Sequence, residues 1–253
     1  MELIFSNEVF VALLAIAFVA GFVDSVAGGG GLIMMPMLLT IGLQPHMALG
    51  TNKLASTLGT TISAGVYIKK RFFNPRLWLL TIVSTFIGAL IGTFTAWIMS
   101  SDALKKIIPV FIILVAVYVL LPCRKQTHRP VTKPGKRSDI ALGSLLGFYD
   151  GFIGPGTGSF WVSMSMLIYK IDIMQASAIA RSMNFVSNIV SCLTFMALSS
   201  VNYSMGLSLG LALMLGSYIG VHSALKYGIT YVKYFFVTIA ALLALRLIWS
   251  EWF

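Results

Sequence analysis

Charge is what this chain has least of. Only 10% of its 253 residues are Asp, Glu, Lys or Arg, where a soluble domain carries about 25%. Cysteine is as scarce: Cys123 and Cys192 stand far apart, so they form neither a metal knuckle nor a disulfide framework. Cys192 reads as a small apolar residue within a helix. His46, His128 and His222 lie far from one another. That leaves no metal cluster and no nucleophile–base pair of the kind an enzyme needs. The "GGGG" run follows no strand, so it is not a dinucleotide fingerprint. The sequence asks for no cofactor and no metal, and it reads as a non-enzyme.

Apolar residues fill the space that charge leaves. They make up 58% of the chain, more than a soluble protein of this size can hide, and they come in long blocks. A membrane span needs about 20 such residues. The ~10-residue alternating segments of a β-barrel do not occur. The fold class is therefore an all-α polytopic membrane protein. The net charge of +10 gathers in loops between apolar blocks, the pattern of positive-inside topology. No soluble basic domain exists to carry nucleic-acid binding. The first block starts near Val9 with Glu2 and Glu8 before it, and reads as a retained span, not a signal peptide.

Ten apolar segments follow one another: 9–27, 31–43, 47–68, 77–99, 107–122, 138–154, 158–169, 174–198, 204–225 and 231–250. The second and seventh are too short to cross a core of about 30 Å as straight helices. The order repeats. "GFVDSVAGGGG" at 21–31 returns as "GFYDGFIGPGTG" at 147–158, "ALGTNKLAS" answers "AIARSMNFVSN", and "GALIG" answers "GSYIG". The chain thus divides into a first transmembrane repeat, 1–122, a basic linker, 123–137, and a second transmembrane repeat, 138–253. Such duplication is a transporter signature, although a duplicated bundle with no transport role has the same pattern. Five crossings per copy, or three with a re-entrant pair, are both odd, so the second copy is expected to be inverted. Charge agrees: "KKRFFNPR" after the third segment is strongly basic, whereas "SSVNYS" after the eighth has no charge. With the linker on the cytoplasmic side, both termini fall outside. Lys105 and Lys106 do not fit this assignment.

Asp24, Lys53, Asp150 and Arg181 are charges that lie within apolar segments. Lys170, Asp172 and Arg246 sit near segment ends, where snorkelling accounts for them. Asp24 and Asp150 hold the same place in each copy, and Lys53 and Arg181 nearly so. The plainer account is a pair of structural ion pairs within each copy, Asp24 with Lys53 and Asp150 with Arg181. The functional account begins with the glycines. Gly28, Gly29, Gly30 and Gly31, and the run Gly154, Pro155, Gly156, Thr157 and Gly158, each precede a short segment and read as helix breaks, with Ser159 bordering the second. A half-helix that starts inside the membrane presents free N–H groups and the positive end of its dipole, which makes an anion site. Thr51, Asn52 and Lys53 in one copy, and Arg181 and Asn184 in the other, supply polar neighbours. Asp24 and Asp150 become proton-coupling candidates. Gly88, Gly92, Gly216 and Gly220 read as packing positions. Trp78, Trp97, Trp249 and Trp252 read as interface anchors.

"GFVDSVAGGGGLIMMPMLL", "ALGTNKL" and "GFYDGFIGPGTGSFW" together resemble the TauE/SafE family of membrane permeases, and the resemblance covers nearly the whole chain. It implies a bacterial inner-membrane permease that exports small anions such as sulfite or sulfoacetate. The partners expected are a small anionic substrate and the lipid bilayer, with a homodimer open. Sulfur specificity comes from the resemblance alone. One departure is Arg181-Ser182-Met183-Asn184, where relatives often carry a small or lysine-containing stretch. The planar fork of Arg can grip an oxyanion at two points, which would favour a larger sulfonate or a carboxylate. A passive anion channel and a membrane scaffold are the competing functions.

Overall fold

The computed structural model describes residues 6–120 and 135–227. Its regular structure is helical throughout: α1 (Asn7–Ala27), α2 (Gly30–Thr40), α3 (Pro45–Lys69), α4 (Leu79–Ile98), α5 (Ser101–Leu120), α6 (Lys136–Phe152), α7 (Thr157–Tyr169), α8 (Ile173–Ala197) and α9 (Tyr203–Tyr227). These match the first nine expected segments within a few residues at most ends. The tenth segment, most of the linker, Arg246, Trp249 and Trp252 lie outside the described residues.

Local chemistry sets the helix ends. Pro45 opens α3 at its first turn, where its missing N–H costs nothing. Asp172 is an N-cap: its carboxylate accepts from the N–H groups of Met174 and Gln175 at 2.8 and 2.9 Å. It therefore serves the start of α8 and is not a snorkelling charge. α3 and α8 are each 25 residues long, and they finish alike. A left-handed residue follows each, Arg71 (φ 62°) and Ser199 (φ 53°). Phe72 N–H then reaches back to the Tyr67 carbonyl, and Ser200 N–H to that of Phe195, the 6→1 bond of a Schellman motif. α2 and α7 have 11 and 13 residues, about 16 and 20 Å at 1.5 Å per residue. Both are half-helices, as their sequence length implies.

The copies are interlocked. α1 packs on α9 and α6 packs on α4, so the first helix of each copy lies against the fourth of the other, while α3 meets α8 between them. Small residues make these contacts possible. A Cβ on Gly88 or Gly92 of α4 would run into the backbone of α6 at Ser144 or Phe148, and one on Gly216 or Gly220 of α9 would run into α1 at Phe18 or Phe22. Packing is thus what these four glycines do, by the close backbone approach that small residues permit within a membrane. Outward, α4 exposes Leu79, Val83, Phe86, Ile87, Phe94 and Ile98, and α9 exposes Leu207, Leu211, Leu215 and Ile219. Apolar stripes outside and small or polar residues inside reverse the arrangement of a water-soluble bundle. Among the described residues, α1, α4 and α9 are long and apolar enough to span a membrane.

One expected interface anchor is wrongly assigned. Trp78 is only 3% exposed, because its ring stands edge-on to Tyr169 with centroids 4.8 Å apart. The neighbouring loop carries it into the interior. Trp97, at 44% exposed, has the surface position expected of it.

Candidate functional site

Two broken helices touch at the centre of the molecule. α1 ends at Gly28, whose φ of 82° is left-handed and whose N–H returns to the Asp24 carbonyl. Two residues later α2 begins. Between α6 and α7 the chain passes Gly154 (φ 89°), Pro155 and Gly156 (φ 78°), with the Tyr149 hydroxyl donating to the Pro155 carbonyl at 2.7 Å. The breaks meet backbone to backbone. A Cβ on Gly28 would lie 2.6 Å from the carbonyl carbon of Gly158, and one on Gly31 would lie 3.1 Å from Pro155 Cα. Glycine at 28 is thus required twice, by its dihedral and by its neighbour. Ser159 joins the breaks by donating from Oγ to the Ala27 carbonyl at 2.8 Å, which satisfies one of the open carbonyls at the end of α1.

Each half-helix start receives a carboxylate of its own chain. Asp24 Oδ1 accepts from Gly30 N–H, in the first turn of α2, at 3.1 Å. Asp150 Oδ1 accepts from the Thr157 hydroxyl, at the start of α7, at 3.2 Å. Carboxylates are favoured there by the helix dipole and the open N–H groups. The starts of both half-helices thus have the chain's own acids beside them.

The bases pair in the opposite sense to the sequence expectation. Lys53 reaches Asp150 at 2.8 Å, not Asp24, and Arg181 approaches Asp24 at 3.9 Å, not Asp150. Each ion pair joins one copy to the other, because α3 and α8 meet across the centre and each carries its base towards the opposite break. The two pairs are unequal. Lys53 also donates to Asn188 Oδ1 at 3.0 Å, and Asp150 accepts a further bond from the Ser187 hydroxyl. Arg181 is fully buried, yet none of its three guanidinium nitrogens makes a hydrogen bond among the described residues.

A small polar cavity opens between the breaks. It measures about 20 Å³, room for roughly one water. Of the residues singled out from sequence, Asp24, Gly28, Gly31, Asn52, Lys53 and Asp150 line it, with Gly156, Thr157, Gly158 and Asn184. Others stand aside. Thr51 is buried, but its hydroxyl accepts from Asn202 N–H at 3.0 Å, tying α3 to the turn before α9. Gly29 and Gly30 form the start of α2, Ser159 serves the end of α1, and Arg181 lies behind Gly158. Ser56, Gly154 and Asn188 also line the cavity, and Ser187 holds Asp150. Ser56 lies one turn from Asn52 and Lys53 on α3, which is the signal that could have found it. Among the described residues no group of His, Cys, Asp and Glu is placed to hold a metal ion.

The sequence comparisons bear on this arrangement. The family described as "Sulfite exporter TauE/SafE" matches residues 13–247. The chain belongs to the TauE/SafE family. It is 32% identical over 245 residues to the "Probable membrane transporter protein" of Haemophilus influenzae, covering 95% of each chain. It is 34% identical over 237 residues to "Probable membrane transporter protein ORF9" of Sinorhizobium, covering 93% of this chain and 91% of that one. It is 32% identical over 241 residues to "Probable membrane transporter protein YfcA" of Escherichia coli K12, covering 94% and 89%. No solved structure matches. Family, relatives and apolar helices together make this TauE/SafE chain a membrane protein of a transporter family.

Proposed function

We propose that this protein is a secondary-active, proton-coupled permease that exports small anions, sulfur oxyanions or organosulfonates such as sulfite or sulfoacetate, across the bacterial inner membrane. The observation that carries the proposal is the lodging of Asp24 and Asp150 at the starts of two touching half-helices, each paired with a base from the other copy. With both pairs ionised, two acids and two bases balance. An arriving anion competes with the carboxylates for the same dipole ends and the same cations. Protonation of a carboxylate ends that competition, so proton entry and anion entry are linked. Backbone broken at this depth is tolerated where it lines a cavity, and two such breaks around a midplane site suit alternating access. The charge pattern supports an inverted second copy with both termini outside. The site needs neither metal nor cofactor, and catalysis is no part of the reading.

The test is transport in proteoliposomes. Counterflow of labelled sulfite or sulfoacetate, stimulated by substrate on the far side, is expected of a carrier. Flux without such stimulation would make the protein a channel. D24N and D150N are expected to abolish dependence on the pH gradient. Full dependence in both variants would refute the proton coupling.

A further inference from the structure

The centre is not the only place where buried polar groups go unpaired. Beyond Gly158, at the end of the molecule that carries the basic loop 69–76, three helices present such groups to a common interior. On α7, Gly158, Trp161 and Ser165 follow at spacings of three and four, so they share one face. At Gly158 that face meets Arg181, since a Cβ there would lie 2.6 Å from Nη1. Trp161 and Ser165 continue it one and two turns further, both fully buried. On α3, Lys53, Thr60 and Tyr67 recur every seven residues and are likewise buried. Tyr67 packs in one cluster with Trp161 and with Met183 of α8, and it lies within the field of the Arg181 charge. Trp161 Nε1, Ser165 Oγ, the Tyr67 hydroxyl and all three Arg181 nitrogens have no hydrogen-bond partner among the described residues. A buried polar group left unpaired costs about 1–3 kcal/mol, so four neighbouring residues in this condition call for a ligand.

The matching half of the other copy is dry. From the contacts of Gly28 with Gly158 and of Gly31 with Pro155, Trp161 corresponds to Met34 and Ser165 to Leu38. Both are apolar and fully buried, and they pack with Leu49 and Phe195. Among the described residues no unpaired buried side-chain atom lies on α2 or on α8 beyond Asn184. Duplication alone would have made the two halves alike.

We infer that Arg181, Trp161, Tyr67 and Ser165 form a second anion subsite, one step from the central cavity towards the end bearing Lys69, Lys70, Arg71 and Arg76. This rests on the permease reading above. The chemistry commits to an anion, because guanidinium and indole N–H groups donate and cannot accept. A ligand with two or more oxygens could take the Arg fork and the indole N–H together. Asp24, 3.9 Å from Arg181, is the group that such an anion would replace. The subsite would pass its anion to the central cavity when Asp24 lets go of Arg181.

Thermal stabilisation of the purified full-length protein by sulfite, sulfate, thiosulfate and sulfoacetate tests both levels. Y67F deletes the hydroxyl and keeps the ring, and W161F exchanges the indole for an aromatic ring with no N–H donor. Each is expected to weaken the apparent Kd of the stabilising anion about tenfold, the worth of one hydrogen bond to a charged group, while M34L leaves it unchanged. An unchanged Kd in both donor variants, with the wild type stabilised, overturns the subsite and leaves the permease reading standing. A wild type that no anion stabilises overturns the permease reading itself. Accessibility offers a measure that needs no substrate. In a C123A/C192A background, S165C is expected to react with an anionic methanethiosulfonate from the side of loop 69–76 more than tenfold faster than L38C. Equal rates would overturn the subsite.

Discussion

The two ion pairs at the centre are products of the same duplicated design, and they differ in almost every physical respect. Lys53 and Asp150 sit 2.8 Å apart, with Asn188, Thr157 and Ser187 completing their hydrogen bonds. Arg181 and Asp24 stand 3.9 Å apart, and the guanidinium has no hydrogen bond among the described residues. A buried ion pair offsets its desolvation only when the geometry is good and the remaining lone pairs and protons are satisfied. By that criterion the Lys53 pair is a lock, and the Arg181 pair, on the proposal above, is the one that exchanges partners. Of two pairs that each join one copy to the other, one is fully hydrogen-bonded and the other is not.

The strongest way to break this comparison is K53M, which leaves Asp150 buried with no cation. It is expected to cost about 3–5 kcal/mol, as the loss of one partner of a buried pair does, and K53M/D150L should recover most of that in a thermal melt of the purified protein. Next is G28A, which puts a Cβ against the Gly158 backbone at a φ of 82°. A loss of about 2 kcal/mol or more is expected, since an incompatible dihedral and a collision add. G42A shares the left-handed dihedral but has open space around it, and should lose only the dihedral share, about 1 kcal/mol. R181M removes an ion pair that has no hydrogen bond, and Asp24 keeps its Gly30 donor. A cost of about 1–2 kcal/mol follows. Equal losses in K53M and R181M would erase the distinction between lock and exchange pair. The smallest effect is a gain. G65A lies within α3 with nothing within 4 Å, and should stabilise by about 0.5–1 kcal/mol, which would place the strain at the breaks and not in the long helices.

Much of this was legible from residues alone, for reasons that are local. Glycine runs next to short apolar segments mark breaks because glycine is costly within a helix and cheap at a left-handed cap. The recurrence of Gly-Phe-x-Asp sets each acid one turn before its break, at Gly28 and Gly154. Thr51 was misplaced because a hydroxyl beside Asn52 and Lys53 in sequence points elsewhere on the helix. Its partner, Asn202 N–H, belongs to a turn 151 residues away. Trp78 was misplaced for a similar reason: the loop before α4 folds inward onto Tyr169, and composition does not reveal the path of a loop. Trp161 and Tyr67 are not legible in the sequence, because an aromatic in an apolar run is indistinguishable from core until its polar atom is seen to lack a partner among the described residues.

The sequence by itself determined the all-helical membrane class and the two short helices that follow the glycine runs. Both follow from composition, repeat and backbone preference, which act over a few residues. Only the tertiary structure decided that Lys53 belongs to Asp150 and Arg181 to Asp24, and that one half of the centre is satisfied while the other is not. Pairing depends on where α3 and α8 meet and which way each base reaches, and that is set by the packing of helices from different copies, not by distance along the chain.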